Sequence, residues 1–285
     1  MKEYKNYIFD LYGTLVDICT NEYKPSLWKL MAEFYNVYGC RWSGKTLSDA
    51  FWKMDAEERE LAGNKMKVEG AEIKLEKVFA RLLFEVPKCY DCSMRIAGVS
   101  VDELRKRYST EREEVLNLVT SSDWCVTVAN LFRVHSRKFI RPYANTISTL
   151  TKLKEQGKGV YLLSNAQQIF TMPEIEMTGI NILFDKMYIS SDCEVMKPQK
   201  EFMEKLLTEE KLNISETVMV GNEQRSDIMV ALRCGVDSIY LNTSSFTKNE
   251  IKKEWKTLMK KEGISIDYAP HIVMSGDIAE ILDFD

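Results

Sequence analysis

Four short strings in the chain carry residue types that can perform hydrolytic chemistry. They are "YIFDLYGTLVD" from Tyr7 to Asp17, "LLSN" ending at Asn165, "MKP" around Lys197 and "VGNEQRSDI" reaching Asp227. A carboxylate that follows a buried strand can act as a nucleophile, and nearby hydroxyl and ammonium groups can stabilise the charge of a transferring group. The candidate site residues in these strings are Asp10, Tyr12, Gly13, Thr14, Ser164, Asn165, Lys197, Asn222, Glu223 and Asp227.

Short apolar runs and helical segments alternate from about residue 140 onwards. A helix is predicted from Tyr143 to Gln156, and strands are predicted in "KGVYLLSN", "KMYISS", "TVMVGNE", "VDSIYLN" and "HIVMS". Strands that alternate with helices predict right-handed crossovers and a parallel sheet with helices on both faces. Because ligands bind beyond the carboxyl ends of such strands, we expect the polar residues that follow them to meet in one crevice.

The stretch from about residue 20 to 138 has a different pattern and is predicted to be all helical. In "PSLWKLMAEFYNVYG", for example, Leu27, Met31 and Phe34 fall on one helical face, and Pro25 stands near the predicted start. The later segments of this block are rich in charge and contain no convincing strand. Its large aromatic residues are predicted to form a core of their own.

This helical block separates the opening strand, Tyr7 to Asp10, from the other predicted strands. The simplest architecture is therefore a Rossmann-like α/β core interrupted after its first strand by a helical insert. The predicted domains are a core formed by residues 1–18 and 139–285, and a helical domain formed by residues 19–138.

Composition narrows the classes of function. The chain has 285 residues, with 39 Lys and Arg against 43 Asp and Glu, and a net charge of -4, so no basic surface for nucleic acid is predicted. No run of about 18 apolar residues predicts a membrane span, and the start of the chain does not resemble a signal peptide. Seven scattered cysteines are typical of reduced thiols in the cytoplasm. We therefore expect a cytoplasmic protein that acts on a small molecule, with an oligomeric state that the sequence does not specify.

The four strings, in this order, resemble the haloacid dehalogenase (HAD) superfamily of hydrolases, in its DxYGT variant. The resemblance covers the core and not the insert. It implies that Asp10 attacks the substrate to form a covalent aspartyl intermediate. It also implies that Thr14 and Ser164 hydrogen-bond the transferring group while Lys197 neutralises negative charge. The insert would be a cap over the crevice, with hinges near Asp17 and Pro142.

The resemblance assigns further roles around the nucleophile. The turn at Tyr12 and Gly13 and the side chain of Asn165 would contact the substrate. In phosphatases of this superfamily a Mg²⁺ ion is also held at the nucleophile. Its ligands here would be Asp10, the Tyr12 carbonyl, Asn222 and Asp227, with Glu223 as a possible addition. Asn222 stands where the family usually has Asp, which weakens the expected metal site.

Tyr12 leaves the substrate class open. Phosphatases of this family carry Asp two residues after the nucleophile, as the general acid, whereas haloacid dehalogenases carry Tyr there and need no metal. A Tyr of ordinary pKa about 10 is a poor proton donor near neutral pH. The spacing from Asn222 to Asp227, however, resembles that of the phosphatases. Mg²⁺ is thus expected for a phosphatase and no cofactor for a dehalogenase.

Two other interpretations of the same residues stay open. The chain could be a HAD-like binding or regulatory protein without catalysis, although the retained set of Asp10, Thr14, Ser164 and Lys197 argues against this. Taken singly, each polar residue could also be a turn former or a helix cap. Capping does not require all four strings in one order, so we predict a hydrolase.

Overall fold

The computed structural model describes residues 3–66, 71–264 and 269–284. Contacts divide the chain into two compact units. The first comprises Met1–Ile18, Phe139–Gln168 and Pro173–Asp285, and the second comprises Cys19–Lys138 with Ile169–Met172. A role of the second unit as a mobile cap stays a prediction.

The described residues form strands in both units. They are β1 Asn6–Phe9, β2 Val16–Thr20, β3 Arg95–Ile96, β4 Val99–Ser100, β5 Arg137–Pro142, β6 Gly159–Ser164, β7 Lys186–Ile189, β8 Thr217–Gly221, β9 Asp237–Leu241 and β10 His271–Val273. The first unit is built on a parallel sheet of six of these strands, in the order β10-β9-β8-β1-β6-β7. Two further pairs form small sheets, β2 with β5 and β3 with β4. This arrangement confirms the predicted α/β class with a parallel core sheet and a helical insert after its first strand.

The helices occur in both units. They are α1 Pro25–Val37, α2 Gly44–Met66, α3 Leu75–Phe84, α4 Val101–Tyr108, α5 Arg112–Thr120, α6 Asp123–Ser136, α7 Thr146–Glu155, α8 Gln168–Thr178, α9 Ser190–Cys193, α10 Lys200–Glu209, α11 Met229–Cys234 and α12 Lys248–Lys261. Short 3-10 segments cover Asn181–Leu183, Ile214–Glu216 and Ile278–Phe284, and a π-helix covers Gln224–Ile228. Within the described ranges, none of the helices combines the length and the apolar character needed to cross a membrane.

Strand β1 lies in the middle of the sheet, with β6 on one side and β8 on the other. Its register pairs Phe9 with Leu162 and with Val220. Tyr7, Ile8 and Phe9 are fully buried, as expected for a strand covered on both faces. This burial explains why β1 is a continuous apolar run and why the first residue beyond it, Asp10, stands at the carboxyl edge of the sheet.

The second unit has its own aromatic core. Trp28, Phe51, Phe79 and Phe132 are buried in it and contact one another at ring-centroid distances of 5.0 to 5.8 Å. Helix α1 begins at Pro25, as predicted. The expectation that this block contains no strand was wrong, because β3 and β4 pair as an antiparallel hairpin. Each of these strands has only two residues, which is too short to produce a recognisable pattern in the sequence.

Candidate active site

The loop after β1 fixes the position of Asp10 and Thr14. Backbone amides of Leu15 and Val16 both donate to the carbonyl of Leu11, at 2.8 and 2.9 Å, which closes a tight turn. Within this turn the Thr14 hydroxyl donates to Asp10 Oδ2 at 3.0 Å. Asp10 is only 8% exposed, so its carboxylate is held in a largely dehydrated position at the end of the strand.

Lys197 supplies the charge that balances this carboxylate. Its buried ammonium donates to Asp10 Oδ1 at 2.8 Å and to Asp227 Oδ1 at 2.7 Å. The amide side chain of Asn165 accepts from the Lys197 backbone N–H at 2.7 Å and donates to the Lys197 carbonyl at 2.9 Å. Asn165 therefore positions Lys197, a role that the sequence did not predict for it.

The pKa values of this group reflect burial and mutual charge. Burial raises the pKa of Asp10 to about 6, against the lowering effect of Lys197 and with a smaller raising effect from Asp227. Burial alone would lower the pKa of Lys197, but the two carboxylates raise it above its ordinary value. At neutral pH, Lys197 is thus a cation and Asp10 is mainly a carboxylate.

The residues after β8 complete the arrangement. Asp227 Oδ2 accepts hydrogen bonds from the backbone amides of Asn222 and Glu223, at 3.1 and 2.9 Å. Asn222 Oδ1 lies 3.1 Å from the Thr14 hydroxyl. Gly13 has φ +85°, and a Cβ there would stand 2.4 Å from Asn222 Nδ2. The two loops are therefore in close contact, and Gly13 is the residue that allows it.

Most of the predicted residues line one pocket of about 550 Å³ within the first unit. Ser164 lies in its wall, and the buried Oγ of Ser164 has no hydrogen-bond partner among the described residues. An unpaired hydroxyl beside a nucleophile is available to a ligand. The predicted residues that line the pocket are Asp10, Tyr12, Ser164, Asn165, Lys197, Asn222, Glu223 and Asp227. Gly13 and Thr14 do not line it but contact the lining residues Asn222 and Asp10.

Tyr12 also lines the pocket, but its hydroxyl is engaged. It donates a hydrogen bond to the carboxylate of Glu174, which is 2% exposed and does not line the pocket. Glu174 lies in α8, within "TMPEIEMTG", and 162 positions along the chain separate it from Tyr12. No motif marks it, and sequence reasoning missed it. Arg225, Ser244 and Phe246 also line the pocket and were not predicted.

The oxygen atoms around Asp10 are of the kind that Mg²⁺ prefers. Each oxygen of Asp10 accepts one hydrogen bond, from Lys197 or from Thr14, and can still bind a metal ion. Asp227 is more fully occupied, because Lys197 and two backbone amides donate to its two oxygens. In the described part of the chain, no three His, Cys, Asp or Glu side chains form a metal-holding group. A Mg²⁺ ion would therefore need the neutral oxygens of Asn222 and Tyr12 beside Asp10.

The parallel sheet, with an aspartate beyond its central strand and a lysine salt-bridged to it, is typical of one class of α/β hydrolases. Residues 92–241 match the family model of the haloacid dehalogenase-like hydrolases, and the chain belongs to that family. This confirms the resemblance to the haloacid dehalogenase superfamily that the four strings suggested.

Curated relatives are phosphatases. The chain is 29% identical over 134 residues to glyceraldehyde 3-phosphate phosphatase of Methanothermobacter thermautotrophicus, covering 46% of this chain and 57% of the relative. It is 28% identical over 102 residues to the pyrophosphatase PpaX of Halalkalibacterium halodurans, covering 36% of this chain and 47% of that one. The matches thus span about half the length of these relatives.

A solved structure matches over nearly the whole chain. It is the 2-haloacid dehalogenase from Pseudomonas syringae pv. Tomato DC3000, with 15% identity, a TM-score of 0.59 and coverage of 98% of this chain and 97% of that one. At this identity the likeness shows a shared fold, that of a Rossmann-like core with a helical cap.

Proposed function

We propose that the protein hydrolyses phosphate monoesters of small molecules through a covalent aspartyl phosphate at Asp10. The observation that carries the proposal is the way Asp10 is held. One oxygen is paired with Lys197 and the other accepts from Thr14, while the carboxylate lines the pocket. Burying a charged carboxylate costs free energy, and a role as the nucleophile accounts for its burial here.

Each supporting side chain has a part in the reaction. Asp10 attacks phosphorus, the bond to the leaving oxygen breaks, and water then hydrolyses the aspartyl phosphate. The Lys197 ammonium offsets the charge of the phosphoryl oxygens, and the unpaired Ser164 hydroxyl, which has no partner among the described residues, donates to one of them. Asn165 keeps Lys197 in place through its backbone.

Mg²⁺ is the cofactor that this proposal implies. Asp10, Asn222 and the Tyr12 carbonyl would hold it, with Glu223 nearby in the pocket wall. Asp227, the fourth ligand implied by the family resemblance, would have to give up a hydrogen bond from Lys197 or from the backbone amides to bind the ion. When bound, the ion would neutralise charge on the phosphoryl group. Small phosphate esters are the first substrates to test, because the curated relatives are named as phosphatases and because the spacing from Asn222 to Asp227 resembles that of the phosphatases. The proposed location of the reaction is the cytoplasm.

Dehalogenation of a 2-haloacid is the second candidate. Two observations favour it: Tyr12 stands where an Asp acid is usual in phosphatases, and Asn222 is neutral. In that reaction halide leaves without a proton, so neither an acid nor a metal is required. The same Asp10 nucleophile would form a carboxylic ester in place of an acyl phosphate.

A product assay separates the candidates. Purified protein is incubated with a panel of phosphate monoesters with and without Mg²⁺, and with 2-haloacids without metal, while released phosphate and halide are measured. Asp10→Asn, which keeps the shape and removes the nucleophilic charge, is the control. Phosphate release lost in Asp10→Asn supports the proposal, and halide release alone supports the second candidate. If neither product exceeds the control, a non-catalytic HAD-like protein is the better description.

A further inference from the structure

Two cysteines of the second unit lie opposite each other on a pair of extended segments. Cys40 and Cys89 form an antiparallel bridge. The residues on either side of them are joined by backbone hydrogen bonds of 2.8 and 3.1 Å, donated by Tyr90 to Gly39 and by Arg41 to Lys88. Because these bonds flank the cysteines, the pair occupies a non-hydrogen-bonded position, where opposite side chains approach most closely.

A cross-strand pair of this kind has a separation that a disulfide can span. Its Cα atoms lie about 4.5 Å apart, and disulfides join Cα atoms that are roughly 4.4–6.8 Å apart. Both thiols are free in the structure. A bond between Cys40 and Cys89 would therefore require little rearrangement of the backbone.

Arg105 joins the two segments beside these thiols. Its Nη2 donates to the Tyr38 carbonyl at 2.7 Å, and its Nη1 donates to the Tyr90 carbonyl at 3.3 Å. Nη2 also lies 3.5 Å from the Cys40 sulfur. Burial raises the pKa of Cys40 to about 11, against the lowering effect of this guanidinium. Cys40 is thus mainly a thiol at neutral pH, with a positive charge beside its sulfur.

The two thiols differ in their access to solvent. Cys89 is exposed, whereas Cys40 is only 2% exposed. Oxidants carried by solvent react with the thiols that they can reach. Cys89 is therefore the thiol that an oxidant meets first, and Cys40 is the neighbour that can react with the oxidised sulfur.

We propose that Cys89 and Cys40 form a reversible redox modification site whose oxidant is a hydroperoxide. The site lies in the second unit, so this inference does not depend on the hydrolysis proposed for the pocket of the first unit. Oxidation would convert the two thiols into one disulfide and would be reversed by a dithiol reductant, which is itself oxidised to a disulfide.

The oxidation proceeds in two balanced steps. The Cys89 sulfur attacks one peroxide oxygen, the O–O bond breaks, and Cys89 becomes a sulfenic acid. The other oxygen takes up the proton released by the Cys89 thiol and leaves as water or an alcohol. The Cys40 sulfur then attacks the Cys89 sulfur, the S–O bond breaks, and water leaves with the Cys40 proton. Arg105 stabilises the Cys40 thiolate as it attacks.

Cys92 is the competing partner for this disulfide. It is buried, and its thiol donates to the Val37 carbonyl at 3.8 Å. A Cβ on Gly39 would stand 2.9 Å from the Cys92 Cβ, so Cys92 packs beside the segment that carries Cys40. The register nevertheless places Cys89, and not Cys92, opposite Cys40.

Peptide mapping tests the proposed pairing. The folded, reduced protein is treated with hydrogen peroxide, alkylated in denaturant and digested with trypsin in the absence of reductant. Trypsin places Cys40 in the peptide 30–41, and Cys89 and Cys92 together in the peptide 89–95. We expect these two peptides to be linked and two of the seven thiols to be lost, and both thiols to return after treatment with dithiothreitol.

Matched substitutions identify the two partners. Cys89→Ser should abolish the linked peptides and Cys92→Ser should retain them, although both cysteines lie in the same tryptic peptide. Cys40→Ala should stop the reaction at the sulfenic acid, which dimedone traps on Cys89. Fragment spectra of the linked wild-type peptides also locate the bond, and this measurement serves if a substitution at a buried cysteine prevents folding.

Oxidation in urea shows whether the fold selects the pair. In an unfolded chain the short loop from Cys89 to Cys92 closes more readily than the long loop from Cys40 to Cys89, so we expect the yield of the linked peptides to fall at least about tenfold. An equal yield in urea would overturn the proposal. So would a folded wild-type protein that retains all seven thiols, links Cys89 to Cys92, or forms the bond only between two molecules. Linked peptides that persist in Cys89→Ser would overturn it as well.

Discussion

The Lys197 ammonium lies 2.8 Å from Asp10 Oδ1, and both groups are almost removed from solvent. The same ammonium lies 2.7 Å from Asp227. One cation therefore compensates two carboxylates, and this group of three side chains keeps a net negative charge. The protonation state of Asp10 therefore depends on the positive charge of Lys197.

Replacing the lysine is expected to damage both activity and stability. Lys197→Met keeps much of the volume but leaves two buried carboxylates without their cation. We expect hydrolysis to fall by about 10²-fold or more, and the free energy of unfolding to fall by about 3–5 kcal/mol. Product release and urea unfolding measure the two effects. Lys200→Met, at an exposed lysine paired with Glu204, is the control and should alter neither. Near-normal turnover in Lys197→Met would contradict the assigned role of the ammonium.

The raised pKa of Asp10 predicts an acidic limb in the activity profile. Burial raises this pKa from 3.8 to about 6, so the carboxylate is protonated below that pH and cannot attack. We expect kcat/KM to fall about tenfold for each pH unit below about 6 and to level off above it. The contribution of Asp10 to stability changes with pH in the opposite direction to its contribution to activity. Since the folded state holds this proton more tightly than the unfolded state, the contribution of Asp10 to stability decreases as pH rises from 3.8 to about 6. A flat activity profile between about pH 4.5 and 7 would count against Asp10 as the ionising group.

Gly13 is predicted to tolerate no side chain. Gly13→Ala places a Cβ 2.4 Å from Asn222 Nδ2 on a backbone with φ +85°. Gly98 has nearly the same φ, +81°, and no atom lies within 4 Å of the position that a Cβ would take there. Gly98→Ala therefore measures the cost of the backbone alone, about 1 kcal/mol. We expect Gly13→Ala to lose more stability than Gly98→Ala and at least about tenfold in turnover. Equal behaviour of the two variants would show that the loop contact at Asn222 is unimportant.

A buried arginine in the second unit is expected to control its stability in acid. Arg81, whose side chain is 6% exposed, bonds the carboxylates of Glu57, Glu58 and Glu85. Burial alone would raise the pKa of Glu85, but Arg81 and neighbouring donors lower it to about 2. A depressed folded pKa stabilises the protein above the ordinary value of 4.5, and this stabilisation is lost as pH falls towards 2.

We therefore expect Arg81→Met to lower the free energy of unfolding by about 3 kcal/mol at neutral pH, and the difference from wild type to shrink between pH 4.5 and 2. Arg107→Met breaks an i,i+4 pair at the surface and should cost less than about 0.5 kcal/mol. Urea unfolding across this pH range provides the measurement. A difference that stays constant with pH would exclude Glu85 as its cause.

Local pattern was enough to predict the framework of the fold. The apolar run before Asp10 and the five later strands appear as strands because a parallel sheet buried on both faces needs such runs. Boundaries were predicted less closely: the helix expected from Tyr143 begins at Thr146, after Asn145 adopts φ 64°. The residues 169–172, placed in the core by prediction, contact the helical unit instead, and chain position alone could not reveal this.

Sequence predicted the candidate-site residues that follow strands and did not predict the contacts made by residues elsewhere. Asp10 and Ser164 come at or just beyond strand ends, and Lys197 follows β7 after the short helix α9, so the topology of the sheet brings all three to one pocket. Glu174 comes from the middle of a helix, and its meeting with Tyr12 depends on how α8 packs. The two hydrogen bonds between the Asn165 side chain and the Lys197 backbone likewise depend on loop geometry.

The central place of β1 has a consequence for the order in which the protein is made. Asn6 pairs with Gly159 on one side and with Thr217 on the other, so β1 is synthesised before both of its neighbours and waits for them. Long-range pairing of this kind is slow and leaves apolar edges exposed in the meantime. The nascent chain must therefore keep this apolar strand from aggregating while the helical block emerges. A product truncated before β6 would have a nucleophile but neither of the strands that pair with β1.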